Sequence, residues 1–148
     1  VSVESADRVE SWVAEAVSSG AQRLSGARVS STVIEPTILI DVPPTATVRE
    51  CEVFGPVVTV VPVGDLDEAF TLANQTPFGL SCGVFTDSVA DARRAMQHLR
   101  FGAVHINTTS SARSDEMPFG GVKGSGHGHE GPKYAISEMT EERLITFN

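Results

Sequence analysis

Six of the chain's 13 glycines fall within fifteen residues, Met117 to Gly131, reading M-P-F-G-G-V-K-G-S-G-H-G-H-E-G. Glycine loses more backbone entropy on ordering than any other residue, so this density requires positive φ or a close backbone approach. Gly126-His127-Gly128-His129-Glu130-Gly131 fits G-x-G-x-x-G letter by letter. A dinucleotide fingerprint sets that motif between a strand and a helix, with an acid about 20 residues later. Here an irregular stretch precedes it and Pro132 follows at once. The competing reading is structural: small residues let the loop run close over a neighbouring backbone. His127 and His129 are one residue apart, so an extended backbone aims both to one side, beside Glu130. A metal site needs three or four converging ligands. His98 and His105 have no evident reason to approach, and no metal is expected.

A chain of 148 residues is one domain's worth, able to bury roughly 68–70% of its unfolded surface. Its net charge of −8 and pI near 4.9 argue against nucleic acid, because phosphate binding needs clustered Lys and Arg. The 11 basic residues are scattered, and only Arg93-Arg94 are adjacent. No apolar run approaches the ~20 residues of a membrane span, and the opening residues do not read as a basic-then-apolar leader. Cys51 and Cys82 cannot build a disulfide framework, so a reducing cytoplasm is expected.

Taken in order, Ser5 to Ser19 reads as an amphipathic helix with Val9, Trp12, Val13, Ala16 and Val17 on one face. Ser5 is its expected N-cap and Gly20 stands at the C′ position. Gln22 to Ser31 is polar and aperiodic, a surface loop or a hairpin. Thr37 to Val42, bracketed by prolines, is a strand. Val57 to Val63 is apolar on both faces, as in a buried parallel strand. Asp65 with Glu68 forms an acidic capping box opening a helix with Leu66, Ala69, Phe70 and Ala73 inward. Leu80 to Thr86 is the next strand. Ser88 caps a helix with Val89, Ala92, Met96 and Leu99 inward, and Ala103 to Asn107 is the following strand. This alternation implies right-handed crossovers and a parallel sheet. Gly131 to Glu138 has room for one helical turn, and Glu141 to Phe147 alternates weakly, as a terminal strand. Composition marks no domain boundary.

Pro118 to Gly126, P-F-G-G-V-K-G-S-G, closely resembles the C-terminal signature of the aldehyde dehydrogenase superfamily. Glu52-Val53-Phe54-Gly55-Pro56 resembles that family's cofactor-contact segment, and the order of the whole chain follows the family's. The resemblance implies an α/β fold, a Rossmann-like parallel sheet flanked by helices, here an incomplete half of the catalytic domain. It divides the chain into a partial catalytic domain, residues 1–136, and an oligomerisation tail strand, residues 137–148. Glu52 would then hydrogen-bond the nicotinamide ribose hydroxyls, which suits a bidentate acceptor. Phe54 would pack beside the nicotinamide, and Phe119 would wall the aldehyde channel. Without the resemblance, Glu52 reads as a solvated acid at a strand end.

The string R-x-D-x-M-P-F-G-G from Arg113, with E-M-T-E-E-R at Glu138 to Arg143, resembles the branch acting on lactaldehyde-like and phosphorylated small aldehydes. Arg113 at the channel mouth would suit an anionic or hydroxylated substrate; the plain alternative is an Arg113–Asp115 surface pair of negligible energy. His129 departs from the arginine often found at its position in the family. The implied reaction is oxidation of an aldehyde to a carboxylic acid with NAD or NADP. The family's nucleophilic cysteine and general-base glutamate precede Val1 in the family order. No catalytic residue is therefore expected in this chain. Cys51 lies between Glu50 and Glu52, whose charges oppose a thiolate, and Cys82 sits mid-strand. The polypeptide alone is expected to be inactive, a fragment or a truncated gene product, with no cofactor bound tightly. Glu141 to Phe147 would extend a sheet in a neighbouring copy. The alternative from another class is a non-enzymatic oligomerisation or interaction module, while a small independent enzyme built on Cys51 or the histidines lacks an activating environment.

Overall fold

The computed structural model describes residues 2–148, arranged as two compact units, residues 2–63 and 64–148. The first begins with α1 (Val3–Ser18). Its N-cap is Ser2, whose hydroxyl accepts the Ser5 backbone N–H at 3.2 Å. The expected cap, Ser5, thus lies inside the first turn, because Ser2 already satisfies the free N–H groups there. Gly20, at φ 112°, follows the helix end as expected. Ala6, Val9, Val13 and Ala16 are buried, whereas Val17 is exposed at the edge of the stripe.

Strand β1 (Gln22–Ser25) pairs antiparallel with β2 (Thr37–Ile40), and β2 pairs parallel with β3 (Val57–Val60). The polar stretch after Gly20 is therefore a hairpin arm, prolonged by an Arg28–Ile34 bridge. Leu39, fully buried, meets Val9, Val13 and Ala16 of α1, with Val42, Ala46 and Val48 closing the core. One turn of helix, α2 (Thr47–Glu50), leads out of that core. The expectation that β3 is covered on both faces is corrected here. Val57 packs on the core, but Val58 and Val60 are exposed, since helix α1 covers one face only.

The second unit holds α3 (Leu66–Gln75), β4 (Ser81–Val84), α4 (Val89–His98) and β5 (Ala103–Ile106). The acidic capping box forms. Asp65 Oδ1 accepts the Glu68 N–H at 2.9 Å, and Glu68 Oε2 returns to the Gly64 N–H at 2.7 Å. Strands β4 and β5 are parallel in register from Ser81–Ala103 to Val84–Ile106. The first unit holds a three-stranded sheet and the second a two-stranded one.

On α4 the inward face is Ala92, Ala95 and Leu99; Met96 is 58% exposed and Val89 is exposed too. Periodicity alone predicts both to face inward. The stripe is displaced because His98 stacks on Phe70 at 5.7 Å and Arg94 lies over the same ring at 5.8 Å, so polar side chains cover the aromatic core. Helix α5 (Pro132–Met139) is longer than the single expected turn. Pro132 occupies its first position, where a missing N–H costs nothing. Residues 140–148 form no strand and pair with no edge among the described residues, and Phe147 is 93% exposed.

Truncating Leu39 to Ala should cost about 2–5 kcal/mol, and Asp65→Ala about 1 kcal/mol, measured by urea unfolding. A Leu39→Ala protein with an unshifted midpoint would contradict this assignment of the core.

Candidate active-site wall

In the second unit the glycine stretch runs against the turns that open β4 and β5. Gly79 is the meeting point: its carbonyl accepts from Gly102 N at 2.9 Å and from Val122 N at 3.0 Å, and its own N–H donates to Ser125 Oγ at 2.9 Å. A Cβ on Gly102 would overlap the Gly120 carbonyl oxygen, and one on Gly120 would overlap that of Gly128. These glycines are there because backbones touch. The structural reading of the stretch therefore holds, and the fingerprint's required strand does not precede Gly126.

Lys123, at φ 56°, clamps the stretch. Its ammonium donates to the carbonyls of Thr76 at 3.0 Å and Asn74 at 3.3 Å, at the carboxyl end of α3, and lies 5.2 Å from the Phe101 ring. A cation there also meets the negative end of the helix dipole. Farther on, Glu138 of α5 accepts the His129 backbone N–H at 3.1 Å. A carboxylate of the chain itself thus sits where a phosphate would otherwise approach the loop. Phe119, Ser125, His127, His129 and Glu138 help to line a cleft of about 360 Å³.

Phe119 is held by an antiparallel bridge to Glu130: Phe119 N donates to Glu130 O at 3.0 Å and Glu130 N to Phe119 O at 2.6 Å. The Arg113 guanidinium lies 4.3 Å above the Phe119 ring and donates to Glu130 Oε2 at 3.1 Å. The two sequence-selected residues, Arg113 and Phe119, are therefore in contact. The Arg113–Asp115 pair is not formed; Glu130 takes the guanidinium instead. In the sequence Glu130 is only a neighbour of the histidines, and no spacing signals its reach to a residue 17 positions away.

In the first unit, Glu52 and Phe54 follow α2 on an exposed segment. Phe54 is 75% exposed and adopts φ 48°, an uncommon conformation for a bulky residue and one that directs attention to function. Between them the Val53 carbonyl accepts from Arg8 Nη1 at 2.9 Å, and Arg8 lies 4.8 Å from the Trp12 ring. Arg8 escaped the sequence reading because it sits on the polar side of α1, where a charge usually means a solvated face. A Cβ on Gly55 would crowd Val9 at 2.7 Å, so this glycine brings the segment down onto α1.

Cys51 is exposed and Cys82 half-buried, both as free thiols. Burial pushes the Cys82 thiol above its ordinary range, which makes it a poor nucleophile.

The aldehyde dehydrogenase family model matches residues 1–145. The chain belongs to that family. It is 43% identical over all its residues to a 3-sulfolactaldehyde dehydrogenase of Priestia aryabhattai, of which it covers 31%. It is 38% identical, again over its full length, to a lactaldehyde dehydrogenase of Methanococcus aeolicus, covering 32% of it. Among solved structures, aldehyde dehydrogenase 21 from Physcomitrella patens with the product succinate superposes at TM-score 0.92. It is 41% identical over 95% of this chain and 29% of its own. The NADP complex of the glyceraldehyde-3-phosphate dehydrogenase GapN from Methanocaldococcus jannaschii gives 0.87 at 38% identity, over 93% and 30% of the two chains. This aldehyde dehydrogenase chain thus spans about a third of the length of the curated relatives it matches, and their names fit the small-aldehyde branch.

The donor set fits a nicotinamide cofactor at one point. An exposed carboxylate suits a ribose diol, and an exposed ring two residues on, held in a left-handed turn, suits a flat heterocycle.

Gly102→Ala should unfold the β4–β5 region or drive the glycine stretch away, whereas Gly64→Ala, whose nearest neighbour is the Glu68 carboxylate at 3.4 Å, should be tolerated. Equal melting temperatures for the two variants would contradict the close-approach account. At neutral pH a thiol reagent should modify Cys51 well before Cys82. Because folding raises the Cys82 pKa, the unfolded chain loses that proton first. This thiol's contribution to stability therefore falls as pH rises past the ordinary thiol range, and Cys82→Ala should flatten the alkaline limb of the stability profile.

Proposed function

We propose that this chain forms the cofactor- and substrate-facing wall of an NAD(P)-dependent aldehyde dehydrogenase that oxidises a small hydroxylated or anionic aldehyde to its carboxylic acid. The observation that carries the reading is the pairing of Arg113 with Phe119. A guanidinium is seated on the very ring that the signature P-F-G-G assigns to the aldehyde channel.

Glu52 accepts hydrogen bonds from the nicotinamide ribose, and Phe54 sets the ring's position from one side. When bound, the cofactor supplies the hydride acceptor. Phe119 excludes water from the aldehyde and limits its width. Arg113 offers its remaining N–H groups to a phosphate, sulfonate or hydroxyl at the substrate's far end, where a planar fork of donors suits oxyanions. That role agrees with the names of the sulfolactaldehyde and glyceraldehyde-3-phosphate relatives. Nucleophile and general base are supplied by a segment that precedes residue 1 in the family order, so this chain alone is inactive. Residues 1–136 belong to the catalytic domain and residues 137–148 to a tail. Free cysteines accord with a reducing compartment.

A second reading has one observation in its favour. Leu144, Ile145 and Phe147 are exposed on a segment with no ladder partner. An extended apolar segment of this kind pairs with an exposed sheet edge, so Glu141 to Phe147 joins copies of the protein. Sedimentation of a chain ending at residue 140 should show a smaller assembly than the intact protein.

In the full polypeptide, Glu52→Gln should weaken NADH binding about tenfold, as for loss of a charge-assisted hydrogen bond, measured by fluorescence titration. The 148-residue chain should form no NADH from glyceraldehyde, lactaldehyde or glyceraldehyde 3-phosphate. Turnover by that chain would contradict the division of labour, and an unchanged NADH affinity in Glu52→Gln would remove the cofactor assignment.

A further inference from the structure

Arg113, Phe119 and Glu130 form a closed ring of contacts. The backbones of Phe119 and Glu130 are bridged, the Glu130 carboxylate holds Arg113, and Arg113 covers the Phe119 ring. Glu130 is thus anchored twice, and its carboxylate already occupies one arm of the guanidinium that faces the substrate's far end. An arriving phosphate or sulfonate meets an arginine whose charge is partly answered. We infer that Glu130 is a specificity-determining residue: it tempers Arg113, lowering the preference for aldehydes with a terminal anion over neutral hydroxyaldehydes of the same skeleton. This inference rests on the assignment of Arg113 to the substrate's polar end.

The Glu130 carboxylate and an incoming oxyanion compete for one cation. The guanidinium has five N–H donors in a plane; its face lies on Phe119 and one amino group is spent on Glu130. An oxyanion takes the remaining edge, but a carboxylate 3.1 Å from the same guanidinium repels it. Both side chains of the pair are partly exposed, so the repulsion is modest and screened by salt. Glutamine at position 130 keeps the backbone bridge and a neutral acceptor for Arg113 while removing the charge. The effect on selectivity therefore separates from any effect on folding of the wall.

The test uses the full polypeptide that carries the nucleophile and base, with glyceraldehyde and glyceraldehyde 3-phosphate as the pair of substrates. The readout is the ratio of their KM values, neutral over anionic. Glu130→Gln should raise that ratio about two- to fivefold, as expected for an exposed ion pair, and the gain should vanish when Arg113→Gln is added. A ratio unchanged or lowered by Glu130→Gln, while Arg113→Gln alone collapses it, overturns the role of Glu130 and leaves Arg113 in place. A ratio that Arg113→Gln alone does not move overturns both. Should turnover be too slow in a variant, dissociation constants for 3-phosphoglycerate and glycerate give the same ratio by calorimetry and decide in the same way.

Discussion

Backbone meeting backbone is the constraint on which the second unit depends. Gly79, Gly102 and Gly120 lie where a Cβ would strike another residue's main chain. Only with these three small residues can the loop after β5 press against the start of β4. That contact delivers Phe119 to the cleft and sets Glu130 opposite it. The loop has little regular structure of its own, so its shape comes from hydrogen bonds at its edges. The Gly79 carbonyl, the Ser125 hydroxyl and the Lys123 ammonium supply most of them. Their net worth is about 1 kcal/mol each, which is enough collectively to fix a loop but not to replace a core.

The first unit solves a different problem with the opposite means. Its core is a helix on one face of a small sheet, and hydrophobic burial around Leu39 supplies the driving force. On that base the Glu52–Phe54 segment is held by a single charged reach from the helix, Arg8 to the Val53 carbonyl. In both units, then, the residues proposed to touch ligand stand on irregular backbone fixed by a long cationic side chain. Regular elements lie beneath, and each stretch carries a non-glycine residue at positive φ, Phe54 in the first and Lys123 in the second.

Regular elements were legible wherever periodicity and capping agreed. The Asp65–Glu68 box and the Ser88 cap begin their helices as read, and β2, β4 and β5 lie inside the expected strands. Misreadings came from tertiary competition. Met96 looked inward by spacing, yet His98 and Arg94 had taken the surface over Phe70. Val58 and Val60 carry the composition of a doubly covered strand, but one helix covers a single face. Glu52, Phe54, Phe119 and Arg113 are proposed as site residues through resemblance to a family signature. The residues that hold them, Arg8 and Glu130, act across long sequence separations that no local pattern records.

That Glu52 and Phe54 of this chain face the cofactor is a proposal. A crystal structure of the full polypeptide with NADPH or NADH tests it most directly. The Glu52 carboxylate should lie within hydrogen-bond distance of the nicotinamide ribose hydroxyls, with the Phe54 ring against the nicotinamide. A nicotinamide ribose bound elsewhere, with Glu52 left in solvent, would contradict it.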